Sequence, residues 1–504
     1  GWPPKAAGGG FQPRDLGRET PGASLPTRRG LLVYCGKRAA TLGALFGEDI
    51  MHSSRRDFFR TTGLCAAAFA TPAAANRDET AKRAEVAWSR KVPVRYETDV
   101  AVVGGGMAGV CAALAAAKSG ARVMLVERFA VCGGNATIGG VGAFCGETSG
   151  QGEAFDAIIA DLETWNAIAP YQPYEEKEAR VFDHEILAIV LQEILLRREV
   201  KLLLHTGFVD ALEKRGRISE CVVCGPSGPE ALRAKQFIDC TGEAMLVRMA
   251  GFDTVKGRPE DGYQLPMSLM YFVRHVAGED ARPQLPDGWF HPVRTKDELP
   301  MSSIWPNGPR ANALKLKVPM FDATNTESLT AAEIQARRRM MEVLDYYQRV
   351  EKRPWLLDHC SPRIGIREGC RMVGDYVLQL DDLRAARTFD DAIARGVFYL
   401  DGHKPDDEKR TYIIPEEQRW VPPYQIPFRS LLPRGARNLL GAGRCFSADQ
   451  LALSSARVMT TCSMMGQAAG IAAAMAVDAG CDPRDLDYTA IRKTVVDRGA
   501  RLDV

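Results

Sequence analysis

Residues 98–128 read TDVAVVGGGMAGVCAALAAAKSGARVMLVER, and the order of their parts decides the fold. Residues 100–103 form a short apolar run with the length and composition of a buried strand. Gly104, Gly106 and Gly109 follow at G-x-G-x-x-G spacing, and an Ala-rich helical run, 107–118, stops at Ser119-Gly120. A second apolar run, 123–126, ends on Glu127. Each part has a physical role. The first glycine permits a tight turn, the second lets a pyrophosphate approach the backbone, and the third lets helix pack on strand. The helix N-terminus offers unpaired N–H groups and a partial positive charge to phosphates. Glu127, about 20 residues past the glycines, is placed to accept hydrogen bonds from a ribose diol. G-x-G-x-x-G alone is a weak signal. Set between strand and helix, with the acid closing the next strand, it predicts a Rossmann-like α/β unit that binds a dinucleotide.

The totals bound what surrounds this unit. A chain of 504 residues has room for two or three domains. With 46% hydrophobic and 25% charged residues it has the composition of an ordinary globular protein. A formal net charge of +2, and the lack of a basic run with interleaved aromatics, argue against a nucleic-acid partner. No apolar run reaches the roughly 18–20 residues needed to span a membrane. Thirteen cysteines are scattered along the chain. Cys221 and Cys224 form C-x-x-C inside a strand-like run, where alternate residues face opposite sides. No second C-x-x-C completes a metal set and no His follows to attach haem. Most cysteines therefore read as small buried apolar residues, and no metal ligands are expected.

Residues 1–50 are rich in Gly, Pro and Arg and lack useful periodicity. The first methionine is Met51, and the residues after it have the order of a start. Ser54-Arg55-Arg56-Asp57-Phe58-Phe59-Arg60 resembles the twin-arginine export motif, a weakly apolar run comes next at 61–71, and Ala73-Ala74-Ala75 supplies an A-x-A cleavage site. Residues 51–75 are thus expected to be a bacterial signal peptide, the protein periplasmic or secreted, and residues 1–50 a non-native upstream extension. Leu64-Cys65 lacks the small residue expected before a lipoprotein cysteine, which argues against a lipid anchor. The twin-arginine machinery exports proteins already folded, which suits one that takes up a cofactor first.

After Glu127 comes RFAVCGGNATIGGVGAFCGE. Gly133-Gly134 and Gly139-Gly140 serve neither helix nor strand, since Gly costs about 0.5–1 kcal/mol in either. They fit backbone passing close to something flat or anionic, with Asn135 and Thr137 to hydrogen-bond it. Phe237-Ile-Asp-Cys-Thr-Gly-Glu243 is a short strand ending in a Thr241-Gly242 turn, and Asn438-Leu-Leu-Gly-Ala-Gly-Arg-Cys-Phe-Ser447 repeats that pattern. A helix at 462–474, rich in Ala and Gly, comes after it. Its N-terminal partial charge would favour an anionic ring. Leu202 to His205 reads as a strand, with Gly207-Phe208-Val209 passing along a ligand edge.

These segments resemble the FAD-dependent oxidoreductases of the two-dinucleotide-binding-fold type, within them a bacterial exported group distantly similar to fumarate reductase flavoproteins. Glu127-Arg128 with Gly-Gly-Asn-Ala-Thr137, the strand end at Thr241-Gly242, Ser361-Pro-Arg-Ile-Gly-Ile-Arg-Glu-Gly-Cys-Arg-Met-Val-Gly-Asp375, Ile426-Pro-Phe-Arg-Ser430, and Asn438–Ser447 with Met464-Met-Gly-Gln-Ala-Ala-Gly470 carry the resemblance, in family order. It departs from the group at Gly369-Cys370-Arg371, where Ser-Arg-Arg is usual, and at Val458-Met459-Thr460-Thr461, where a Pro is usual. The resemblance implies FAD as cofactor, bound by Gly104, Gly106, Gly109, Glu127, Arg128, Gly133, Gly134, Asn135, Thr137, Val209, Thr241, Gly242, Gly443, Arg444 and Gln467. No His lies in the Gly-Gly-Asn-Ala-Thr segment, so covalent attachment is not expected.

The expected layout is a FAD-binding domain built from residues 96–245 and 426–480, an inserted α+β substrate domain at 246–425, and a tail at 481–504. The insertion contains one clear helix, 330–351, with Ile334, Met341, Val343, Leu344 and Tyr347 at helical spacing. Arg363, Arg367 and Arg371 would share a face if their segment were helical, forming a clamp for an anionic or polyhydroxylated substrate. Asp401-Gly402-His403 pairs a His with a carboxylate, as general-base work near neutral pH requires. Arg429 precedes the returning FAD segment. His403, Arg367 and Arg429 are the catalytic candidates. Cys145 and Cys445 fall in flavin-proximal segments but lack a C-x-x-C partner. The single G-x-G-x-x-G disfavours disulfide reductases and NADPH-dependent hydroxylases. The expected activity is a dehydrogenase passing hydride from a small polar substrate, hydroxylated or anionic, to the flavin, with an electron acceptor not specified. Reduction of an activated double bond is the alternative. A flavin-bearing electron-transfer subunit is a third, disfavoured because a carrier has no use for a domain-sized insertion.

Overall fold

The computed structural model describes residues 86–175, 177–276, 285–307 and 310–504. The expectations for 1–50 and 51–75 lie outside the described residues. The first strand, β1 (Val94–Val103), turns into helix α1 (Met107–Lys118) and returns as β2 (Val123–Val126). Helices α2 (Glu153–Thr164) and α3 (His184–Arg197) come next, then β3 (Lys201–Leu203), β4 (Gly207–Lys214), β5 (Arg217–Gly225) and β6 (Gly228–Asp239). These strands make one sheet in the order β3-β2-β1-β6-β5-β4. β1, β2, β3 and β6 run parallel, while β4, β5 and β6 form an antiparallel meander. β1 is buried from Asp99 to Val103 because both sheet faces are covered, and a parallel strand covered on both faces reads as a continuous apolar run.

The sheet is completed from far along the chain. β6 pairs with β5 over its first half, and Phe237–Asp239 then accept β11 (Leu439–Gly441) as a parallel neighbour. The carboxyl ends of β1, β2, β6 and β11 therefore lie side by side. α1 is buried over ten successive residues, from Met107 to Ala116. It packs against the long helix α5 (Met459–Ala479), and both helices meet the sheet. Backbone approach between the two helices is close. A Cβ on Gly466 would lie 2.1 Å from the Ala108 carbonyl oxygen, and one on Gly470 would lie 2.2 Å from that of Ala112. Two glycines one helical turn apart thus set the helix spacing, and the Ala-rich composition of both helices matches that close approach.

The inserted layer is an antiparallel sheet in the order β8-β9-β7-β10, built from β7 (Met267–His275), β8 (Ser302–Pro306), β9 (Ala311–Val318) and β10 (Trp355–Cys360). Helix α4 (Thr326–Arg349) covers one face. The Asn325 side chain accepts the Ser328 N–H and fixes where α4 begins. Alternation along the strands divides the faces. Leu269, Tyr271, Val273, Leu314 and Leu316 meet Ala332, Ala336, Met340, Val343, Leu344 and Tyr347 of α4 in one core. The opposite register carries Ser268, Met270, Phe272, Ala313, Lys315 and Lys317. Ile334, placed on the buried stripe by its spacing, is half exposed, and Ala332 and Ala336 pack in its stead. This second core draws on residues from Met267 to Ile366, whereas Leu378, Leu383, Ile393 and Leu400 pack into the core around α1 and α5.

Replacing Gly470 by Val is expected to force α1 and α5 apart. Overpacking of a tight core costs about 1–3 kcal/mol, so the unfolding free energy of Gly470→Val, measured in urea, should fall by at least that much. Gly480→Ala, at the open C-cap of α5, should lose less than Gly470→Val.

Candidate active site

The four strand ends open into a cleft with a cavity of about 240 Å³. Two glycine loops form one wall. Gly104 has φ of +102°, and a Cβ there would lie 2.5 Å from the Cys240 carbonyl oxygen, so the tight turn from β1 into α1, packed against the end of β6, admits no side chain. A Cβ on Gly109 would lie 1.9 Å from the Gly104 carbonyl oxygen, which makes Gly109 the point where α1 meets its own turn. The second loop docks on the first through the Gly133 N–H, which donates to the Gly105 carbonyl at 2.7 Å. Glu127 closes the corner. Its carboxylate accepts the Gly105 N–H at 2.7 Å and the Phe129 N–H at 2.9 Å. The α1 N-terminus has no side-chain cap, so its first N–H groups face the cleft as a site for phosphate oxygens.

Beyond the glycine loops the wall is cationic. Buried Glu243 sits among three guanidiniums: Arg444 at 2.9 Å, Arg363 at 3.0 Å and Arg128 at 3.7 Å. Burial alone would raise its pKa, but the charges of Arg444, Arg363 and Arg128 overcome this and hold it at about 2. Arg128 and Arg363 both lie over the Phe129 ring. Three cations around one carboxylate leave a net positive charge, and Arg444 Nη1 is buried with no partner among the described residues. An anionic group in the cleft would satisfy both. The glycine turns, the free helix N-terminus and this surplus charge fit the diphosphate of a dinucleotide.

Of the residues expected at a cofactor, Gly104, Gly106, Glu127, Arg128, Gly133, Gly134, Asn135, Thr241, Gly242, Gly443 and Arg444 line the cleft. Gly109 lies beneath it. Val209 does not line it. It sits exposed at a bulge in the β4–β5 pairing, and Gly207 and Phe208 line the cleft at that point. Thr137 donates instead to the Cys132 carbonyl at 2.7 Å and braces the loop. Gln467 accepts the Ala154 N–H at 2.9 Å, in the first turn of α2. Arg429, expected near the flavin, is held bidentately by Asp391 at 2.9 and 3.0 Å and stands outside the cleft.

The three arginines at 363, 367 and 371 share no face, because residues 361–369 are irregular and Cys370–Met372 is a strand paired with Thr254–Lys256. Arg363 goes to the cleft wall and Arg371 pairs with Glu368. Arg367 donates to the Pro266 carbonyl at 2.7 Å and the Ser268 hydroxyl at 2.6 Å, beneath the inserted sheet.

Arg457, in the cleft wall, leads to a second buried cluster. It donates to Asp401 Oδ2 at 2.6 Å, and Asp401 Oδ1 lies 3.2 Å from His403 Nε2. The His403 ring stacks on Tyr412 at 4.4 Å. Burial pushes the His403 pKa down to about 4, against the pull of Asp401, so the imidazole is neutral at pH 7. Burial also opposes the Asp401 charge, yet His403, Arg457 and Arg367 hold its carboxyl well below the usual range. His403 Nδ1 and Arg457 Nε are buried without partners among the described residues. Lys315 and Lys317 are both lowered to about 8 by burial, with Arg367 adding to it. Lys317 donates to the Lys409 carbonyl at 2.9 Å, whereas the Lys315 ammonium has no hydrogen bond among the described residues. Three cations, Lys315, Arg367 and Arg457, thus face one Asp401, while Lys317 has Asp407 and Asp406 near it as well. The lysines and Arg457 did not stand out in the sequence. A signal existed, since Leu314-Lys-Leu-Lys-Val318 in a strand puts both lysines on the face opposite the leucines.

A parallel α/β sheet whose strand ends hold a glycine-lined, cation-walled cleft, next to a buried His–Asp pair, defines a dinucleotide-binding enzyme. More narrowly, the chain belongs to the FAD dependent oxidoreductase family, whose model matches residues 99–495. It is an oxidoreductase and FAD is its cofactor. Among curated proteins it is 36% identical over 102 residues to the NADH:acrylate oxidoreductase of Vibrio harveyi, a match covering 20% of this chain and only 10% of that protein. Among solved structures it is similar to a geranylgeranyl bacteriochlorophyll reductase-like protein of Thermoplasma acidophilum, at 14% identity and a TM-score of 0.42, over 80% of this chain and 83% of that one. It is also similar to the flavin-dependent brominase Bmp2, at 11% identity and a TM-score of 0.43, with the same coverage.

Glu243 gives the site an acid-sensitive element. Its folded pKa of about 2 lies below the ordinary 4.5. The stability it contributes is therefore complete above about 4.5 and lost as pH falls through about 2, amounting to roughly 3 kcal/mol. Urea unfolding midpoints should show this loss in the native enzyme and lack it in Glu243→Gln, which should be the less stable of the two at pH 7.

Proposed function

We propose that the enzyme is a dehydrogenase of a small hydroxylated substrate that carries an anionic group. What chiefly supports this is the buried, neutral His403, its Nε2 on Asp401 and its Nδ1 without a partner among the described residues. Such an imidazole is a base ready for one proton. Asp401 fixes the tautomer and stabilises the imidazolium that forms. Lys315 and Arg457 hold the anionic group, and Arg367 adds positive charge beneath it, since guanidinium and ammonium groups in a site of low polarity bind carboxylate strongly. The substrate hydroxyl gives its proton to His403 Nδ1 as its carbon becomes a carbonyl. FAD, when bound, supplies the acceptor for the hydride. The cationic cleft wall supports non-covalent binding of FAD. The Arg55-Arg56 motif supports export by the twin-arginine route to the periplasm or beyond, with the electron acceptor to be found there.

A second reading is reduction of an activated double bond next to a carboxylate. The partial similarity to an NADH:acrylate oxidoreductase favours it, and Lys315, with its pKa near 8, would serve as proton donor.

Anaerobic mixing with a panel of hydroxy acids and neutral sugars, followed at about 450 nm where oxidised flavin absorbs, separates the two. Bleaching by a hydroxy acid supports dehydrogenation. Failure of every alcohol to bleach, with reoxidation of chemically reduced enzyme by acrylate, overturns it in favour of reduction. His403→Asn should slow bleaching about 10²–10⁴-fold at unchanged flavin content. For the free enzyme, kcat/KM should rise through about pH 4 as His403 loses its proton, and fall through about pH 8 as Lys315 does. Lys315→Arg should keep its charge and abolish the upper fall.

A further inference from the structure

Away from the cleft, three metal-ligating side chains meet where the two layers join. His184 and Glu185 open helix α3, and His359 sits on β10 of the inserted sheet. One ligand atom from each lies within 4.8 Å of the other two. The groups are held in place by their surroundings. Asp183 caps α3, accepting the Glu185 and Ile186 N–H groups at 2.9 and 3.1 Å, which fixes the turn that carries both ligands. His184 Nε2 lies 3.4 Å from the Glu185 carboxylate. His359 Nδ1 lies 2.9 Å from the Asp358 carboxylate, which leaves Nε2 for a cation. A carboxylate on the far nitrogen is the usual way a metal-binding imidazole is oriented and made more basic. The Phe272 ring stacks against both imidazoles, at 4.9 and 4.3 Å between centroids, and forms an apolar floor.

We propose that His184, Glu185 and His359 bind a zinc ion that fastens the first turn of α3 to the edge strand of the inserted sheet. Two imidazoles and one carboxylate are a zinc donor set, with water in the fourth position. Bonds of about 2.0–2.1 Å hold tetrahedral ligand atoms roughly 3.3 Å apart, so small side-chain rotations of Glu185 and His359, both exposed, complete the geometry. The two histidines are distant in sequence and lack metal-motif spacing, which is why the sequence by itself points to no metal ligands. The site lies at the seam between layers, where Phe272 also faces the Gly139-Gly140 loop.

The test uses the flavin-loaded enzyme, stripped of metal with EDTA and titrated with zinc sulfate by calorimetry. One zinc per chain is expected, with X-ray absorption showing nitrogen and oxygen ligands at about 2.0–2.1 Å and no sulfur at about 2.3 Å. Zinc should raise the unfolding temperature. His359→Ala, at an exposed position, should weaken zinc binding at least tenfold and abolish that rise while flavin content stays unchanged. Lack of binding at micromolar zinc, sulfur ligation, or equal affinity in His359→Ala overturns the site. Zinc binding through these residues without a rise in unfolding temperature overturns the fastening role.

Discussion

The close approach of α1 to its neighbours is the constraint on which the rest of the structure depends. On one side Gly109 touches the Gly104 turn, and on the other Gly466 and Gly470 admit the α1 backbone. Because α1 is pinned there, its uncapped N-terminus points into the cleft and the ends of β1, β2, β6 and β11 stay level with it. The glycine loops then need no side chains to shape a phosphate site. Backbone geometry does it, with Glu127 tying the two loops at their common corner.

Charge divides the site into two regions of the same sign. Around Glu243 three guanidiniums share one carboxylate, and around Asp401 Lys315, Arg367 and Arg457 do. Neither region is neutral by itself, and burying unbalanced charge is costly. The first suits the diphosphate of FAD, and the second, under the proposed function, an anionic group of the substrate. Arg457 belongs to both regions, lining the cleft and bonding Asp401. The charge of whatever occupies the cleft is therefore felt at the imidazole of His403 through two hydrogen bonds.

The sequence shows the cofactor half far better than the half proposed for catalysis. Gly104 to Glu127 is a contiguous motif whose spacing is fixed by a local turn, so it can be read without tertiary information. Phe237 to Gly242 and Leu439 to Gly443 end on glycine turns and are almost as plain. The side proposed to hold substrate is assembled from single residues on separate elements: Lys315 from β9, Arg367 from an irregular segment, His403 from a loop, Arg457 from the turn before α5. No spacing rule links them. Regular spacing even misleads there. Arg363, Arg367 and Arg371 look like one face, but β-pairing of Cys370–Met372 with Thr254–Lys256 scatters them. Arg429 likewise lies near the returning segment in sequence, but Asp391 claims it.

The double pairing of β6 has a consequence for how the chain is made. Its first half is matched at once by the adjacent hairpin, but its end waits for Leu439–Gly441, about two hundred residues later. α1 waits longer, for Gly466 and Gly470. Until then an apolar helix and an open sheet margin lie bare in the nascent chain. Contacts so distant form slowly, and exposed margins of this kind invite association with other chains. Synthesis of this protein therefore passes through a long interval in which a nearly finished nucleotide-binding unit lacks its last strand and its covering helix, and needs shielding until both arrive.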